Sequence, residues 1–270
     1  MNIHLHDQEL FSDLKNAALG QFLVGSHLYG LNNSLSDIDY LYVYVPSINE
    51  RSSYKYSHHQ LQYKEDGIDH IFVNIFTFVN NLLSGDSTIN YELIHSKQLL
   101  GTALEYLYTN RKDFTNYKVI RAYNGFARRD LKEFGKQTSI RDCINKVKHA
   151  ERSSYFAQCL LAGEEIDLQL SRTTIKTFIE EYDLMGYDQL ITEIKNLSTQ
   201  LEFSRKEEIE KRFNDKTLNV PQYMTVNAQQ RLDAYLMQLI YSSEFTSRSA
   251  WSMDMKVFYE VYEKNNLVNY

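Results

Sequence analysis

The chain has 270 residues, 43% of them hydrophobic and 24% charged, with a formal net charge of −6 at neutral pH. That length and apolar content suit one large domain or two small ones around an ordinary core and exclude wholesale disorder. The acidic balance excludes a surface that is basic all over, and no run of eighteen apolar residues is present to serve as a membrane helix.

Only 2 prolines and 10 glycines interrupt the chain, which favours long helices over a many-turned β-sandwich. The first seven residues lack a basic n-region and an apolar h-region, so no signal peptide is expected there. Cys143 and Cys159 form no CxxC pair, so a reduced, cytoplasmic protein without a metal–thiolate site is expected. His4, His6, His58 and His59 lack ligand partners at zinc spacing and are expected to be loop residues.

In chain order, residues 7–19 have the spacing of an amphipathic helix, with Leu10, Phe11, Leu14 and Ala18 recurring on one side. Residues 21–24 form a short apolar strand ended by Gly25. Residues 37–45 read as a strand stopped by Pro46, residues 46–60 as a polar loop, and residues 68–76 as a second strong strand. Short helices are expected over 78–84 and 91–94. After Gln98 the period becomes helical, predicting helices over 99–108, 117–134, 140–162, 174–184, 188–200 and 228–243, with Gly163 as a C-terminal cap. Trp251 and the tyrosine-rich tail 258–262 have helical spacing and read as core. The expected division is a catalytic domain over 1–112 and a helical domain over 113–270.

Charge is unevenly spread. Residues 111–152 hold twelve Lys/Arg against five Asp/Glu, a local basic region in an acidic protein. It reads either as a phosphate-facing surface or as a solvated helix face carrying both signs.

The informative segment runs from Gly25-Ser26 through a loop to Asp37-Ile38-Asp39, which opens a strand. Side chains two apart on a strand share a face, so Asp37 and Asp39 present two carboxylates side by side. Adjacent carboxylates repel unless a cation lies between them, and hard oxygen ligands suit Mg²⁺ (or Mn²⁺). Gly25 lets backbone approach a phosphate, and Ser26 adds a hydroxyl and an N–H. The plainer reading of a bare Asp-x-Asp is two surface acids at a strand edge. A third carboxylate is expected on a neighbouring strand, as metal ligand or as base for an attacking hydroxyl. Asp66, Asp69 and Asp86 are available; Asp66 and Asp86 fall in turns, whereas Asp69 opens strand 68–76.

Gly25-Ser26-His27-Leu28-Tyr29-Gly30-Leu31, followed by Ser36-Asp37-Ile38-Asp39, resembles the nucleotidyltransferase superfamily that includes DNA polymerase β. Within it, the segment resembles a bacterial and phage branch linked to RNA repair. The likeness is specific over residues 21–45. It is looser over 78–94, where the branch carries a Gly-Asn-Pro-like turn and a Glu-Leu pair and this chain has Gly85-Asp86-Ser87 and Glu92-Leu93. A second patch lies at Lys146-Val147-Lys148-His149-Ala150-Glu151-Arg152, where the branch has a Lys/His/Arg cluster on a helix.

The resemblance implies an α+β fold, with an N-terminal mixed β-sheet flanked by helices and a helical C-terminal domain. It implies transfer of an NMP from an NTP, ATP foremost, to an acceptor hydroxyl with release of pyrophosphate, the acceptor being an RNA 3′ end. Asp37, Asp39 and Asp69 would be catalytic and hold the metal. Gly25, Ser26, His27, Tyr29, Lys148, His149 and Arg152 would bind the nucleotide. A transferase that moves AMP to a protein, and a catalytically idle binding module on the same fold, remain as alternatives.

Overall fold

The computed structural model describes residues 2–4, 8–32, 36–46, 60–137, 139–170, 179–202, 205–218, 220–221 and 223–247. Two compact units are formed, Met1–Arg231 and Leu232–Tyr270. Residues 47–59 of the expected loop, residues 174–178 of the helix expected over 174–184, His6, His58, His59, Trp251 and the 258–262 tail lie outside the described residues; residues 179–182 are helical.

The first unit is α+β. Five strands, β1 (Asn2–His4), β2 (Ala18–Leu23), β3 (Ile38–Tyr44), β4 (Gln60–Glu65) and β5 (Ile68–Asn74), form one mixed sheet in the order β1-β4-β5-β3-β2. β3 runs parallel to β5, β1 runs parallel to β4, and the β2–β3 and β4–β5 pairs are antiparallel. The tight turn at Asp66-Gly67 joins β4 to β5; both residues have positive φ, where glycine is at ease and aspartate is tolerated.

Alternation along the strands sorts the two sheet faces. Tyr42 and Tyr44 of β3 and Phe72 of β5 point to one face and bury against Phe11 and Leu14 of helix α1 (Gln8–Asn16). Phe11 stacks on Tyr63 of β4 at 4.2 Å between centroids, which closes that face. Asp39 and Asp69, one residue out of phase with these aromatics, belong to the opposite face.

Helix α1 stops at Asn16, and β2 begins at Ala18, earlier than the spacing predicts. Pairing decides this: Ala18 and Gly20 find partners in Tyr44 and Val43, with a register irregularity between them. The helix α2 (Ile75–Ser84) follows β5 directly, because the Asn74 side chain accepts from Thr77 N–H at 2.8 Å and caps it. β4 alternates, with Leu61 and Tyr63 packed on the core face, and keeps a half-exposed surface.

After α3 (Thr88–Leu93) and α4 (Glu105–Thr109), the long helices α5 (Tyr117–Glu133) and α6 (Ile140–Ala162) form an antiparallel pair. Near the turn Lys146 meets Asp130, and further along Tyr123 meets Phe156. Gly163 ends α6 in the left-handed conformation at φ 80°, with its N–H returning to Cys159 and Leu160 carbonyls. Helices α7 (Tyr187–Glu202) and α8 (Lys206–Asn214) complete this unit's described helices up to α9 (Val226–Ser247). In the second unit the described residues, 232–247, belong to α9. No helix among the described residues is long and apolar enough to cross a membrane.

Candidate active site at the edge of the mixed sheet

Parallel pairing of β3 with β5 sets Asp39 directly beside Asp69. Neighbouring strands lie about 4.8 Å apart, so the two side chains leave the same face as close neighbours. Asp37 stands two residues before Asp39, exposed just ahead of the strand. Asp39 is half-buried, and its carboxyl is held above the ordinary carboxylate range, first by burial and then by the charges of Asp69 and Asp37; His27 and Lys64 oppose the shift.

The turn Gly25–Tyr29, a short 3-10 helix, is tied to the same point. Val24 N–H donates to the Asp39 carbonyl at 3.0 Å. Gly25 has φ 62°, and a Cβ there would lie 2.5 Å from Asp39 Oδ2. Glycine is thus required twice, by the backbone conformation and by the carboxylate against it. Val24 offers no side-chain cap to this turn.

Lys64 was not singled out in the sequence. Antiparallel pairing places it opposite Asp69, and its Nζ lies 3.6 Å from Asp69 Oδ1, with the lysine side chain 63% exposed and that of Asp69 24%. Position and chemistry suit a hard divalent cation: three carboxylates share one sheet edge, and an ammonium stands in as cation on one of them. Among the described residues no group of three His, Cys, Asp or Glu side chains is gathered to hold a metal ion as it stands. Asp69 is turned to Lys64.

At the other end of the turn, Tyr29 is 1% exposed and its hydroxyl donates to the buried carboxylate of Glu92. Tyr123 donates to the other Glu92 oxygen at 3.2 Å. The Arg152 guanidinium lies over the Tyr29 ring at 4.2 Å from its centroid, and its Nε is buried without a hydrogen-bond partner. Burial raises the Glu92 carboxyl, while Arg152 and the two tyrosines counter it. Burial likewise raises the Tyr29 phenol. Tyr29, expected to contact the nucleotide, therefore sits beneath the turn and fastens it to α3, α5 and α6. Tyr29 and Glu92 both stood in segments that carry the sequence resemblance, without a sign that they meet; Tyr123 had no signal.

The α6 residues separate. Lys148 is paired with Asp183 at 2.7 Å. His149 keeps an exposed ring, yet the protein crowds it, and burial followed by the Arg152 charge pushes the imidazole down. Arg152 reaches the underside of the turn. Part of the basic stretch 111–152 is also engaged: Arg111 and Lys112 meet Glu165, Arg129 and Lys146 meet Asp130, and Lys118 and Arg121 lie over tyrosine rings. The sequence brings the charges to one segment, but it does not show that Glu165 and Tyr223, from outside it, meet some of them.

No family model matches the chain, and no curated protein matches it significantly. Among solved structures, the chain is similar to a nucleotidyltransferase-like protein from Exiguobacterium sibiricum. The identity is 13% and the TM-score 0.30, over 76% of this chain and 73% of that one.

Proposed function

We propose that the protein is a metal-dependent nucleotidyltransferase that moves an NMP from an NTP, ATP foremost, to an acceptor hydroxyl. The observation that carries this reading is the juxtaposition of Asp39 with Asp69 in register, Asp37 just ahead of them, and the side-chain-free Gly25 packed against Asp39.

Asp37, Asp39 and Asp69 would hold Mg²⁺ or Mn²⁺. Bound there, the metal supplies charge neutralisation on the triphosphate and a lower pKa for the attacking hydroxyl. Gly25 and Ser26 line the approach of the phosphates with backbone N–H groups and one hydroxyl. His27 lies near Asp39 and has a buried Nδ1 with no hydrogen-bond partner, a donor or acceptor left open for the substrate. In the transfer, the acceptor oxygen forms a bond to the α-phosphorus while the bond from that phosphorus to the bridging oxygen breaks. Pyrophosphate leaves with that oxygen, and the acceptor proton passes to a carboxylate, for which Asp69 is placed.

The sequence resemblance supports an RNA 3′ end as acceptor. One observation favours the second reading, a protein hydroxyl: within 111–152, Arg111, Lys112, Arg121, Arg129, Lys146 and Lys148 already meet carboxylates, which shrinks the footprint available to a polynucleotide. Incubation with each NTP labelled at the α-phosphate, together with total cellular RNA and cell protein, separates them. Label migrating with RNA is expected; label on a protein band selects the second reading, and label on neither contradicts transfer to either macromolecule.

A further inference from the structure

Among the described residues, Lys64 is the cation that strand register sets against the carboxylates. The β4–β5 pairing fixes it opposite Asp69, and the β3–β5 pairing fixes Asp69 beside Asp39, so Lys64, Asp69 and Asp39 follow one another across three strands. Its ammonium rests 3.6 Å from Asp69 Oδ1 and also lowers the cost of charging Asp39. The side chain is 63% exposed, so a long flexible stem leaves the head free to move. Of the other named cations, Lys148 is paired with Asp183 and Arg152 lies over the Tyr29 ring.

Resting on the nucleotidyltransferase reading, we propose that Lys64 is a further substrate-binding residue. Its ammonium rests on Asp69, would yield Asp69 to the divalent cation, and would turn to the phosphates of the incoming nucleotide. The charges favour this order. A free divalent cation competes with the ammonium for Asp69 and offers the displaced charge no new partner. A metal–nucleotide complex brings phosphate oxygens, which give the displaced ammonium a new partner. Loading of the edge is thereby tied to arrival of the nucleotide.

The proposal predicts two effects of opposite sign in Lys64→Met, which keeps the stem and removes the charge. Binding of Mn²⁺ alone, read by electron paramagnetic resonance, should tighten about tenfold, the scale for removing a unit charge roughly 6 Å from a divalent ion in a water-like dielectric. Binding of Mn²⁺–ATP, read by calorimetry, should weaken by about tenfold or more. Lys64→Arg should remain within a few-fold of wild type in both. A change of both affinities in the same direction, or no change in either, overturns the role of Lys64 while leaving the carboxylate site standing. If neither the wild type nor any variant binds Mn²⁺ or Mn²⁺–ATP, the nucleotidyltransferase reading falls and this inference with it. An unchanged melting temperature in Lys64→Met is expected from its exposure and confirms that the comparison is between folded proteins.

Discussion

Asp39 and Asp69 are register partners on parallel strands, with no residue between them and no positive charge nearer to Asp69 than the ammonium of Lys64 among the ion pairs of the described residues. Burial and then the charge of Asp69 raise the cost of ionising Asp39, which is half-buried beside it. A fold retains such an arrangement against its own stability when the site uses the charge.

The pH dependence of the metal-free protein follows. Asp39 has a raised folded-state pKa, so the native state binds more protons than the unfolded state between the ordinary aspartate value and that raised one. Stability therefore falls as pH rises through this window and recovers on acidification. Asp39→Asn should abolish transfer, flatten this limb of the melting-temperature profile, and melt no lower than wild type at neutral pH. A clearly lower melting temperature at neutral pH would show that the carboxylate is structural.

Gly25→Ala should destabilise by about 1–2 kcal/mol from the left-handed backbone alone, with a further cost from the Cβ set 2.5 Å from Asp39 Oδ2. The further cost should vanish when Asp39 is shortened. A double-mutant cycle of Gly25→Ala with Asp39→Ala, measured in urea, should give a favourable coupling. Strict additivity would mean that the two residues do not touch.

Glu92 anchors the turn from below. Glu92→Ala leaves two buried tyrosine hydroxyls and Arg152 without their acceptor or counter-charge and should cost on the order of 3–5 kcal/mol. Glu92→Gln keeps one acceptor oxygen and should cost less, about 1–2 kcal/mol. Denaturant midpoints give the order. Equal losses in the two variants would assign the effect to volume rather than to hydrogen bonding.

A second pH limb arises away from the sheet. Burial and the neighbouring Glu193 push the Glu151 carboxyl up to about 7 from an ordinary 4.5, against a hydrogen bond from Tyr182. Its neutral form is favoured in the native state, so the stability it contributes is present below about 4.5 and lost as pH rises to about 7. Glu151→Gln should remove that loss and melt above wild type at pH 8. Coincident profiles from pH 5 to 8 would return Glu151 to an ordinary surface carboxylate.

The parts of the fold legible in the sequence were those with strong local periodicity. The strand at 37–45, the strand at 68–76 and the helix at 140–162 appear with bounds shifted by at most two residues, because β-rich runs, Pro46 and Gly163 punctuate them. β1 and β4 were missed: three residues carry no pattern, and Gln60–Glu65, where Leu61 and Tyr63 alternate with Gln60, Gln62 and Lys64, is short and follows directly on a polar stretch that reads as loop. Missing β4 meant missing Lys64, whose place depends on register rather than on any motif. The contacts of Tyr29, Glu92, Tyr123 and Arg152 span up to 63 residues between hydrogen-bonded partners, and only packing joins them. Lys148 could be placed on a helix face by spacing, but not against Asp183.

The most direct test of the central claim is pyrophosphate release from α-labelled ATP with total cellular RNA and Mg²⁺, comparing wild type with Asp39→Asn. The account predicts pyrophosphate and acceptor-bound α-label in equal amounts from the wild type, and neither above background from Asp39→Asn, with both proteins equally folded. Wild-type turnover surviving in Asp39→Asn, or label reaching the acceptor from the γ-phosphate instead of the α, would contradict it.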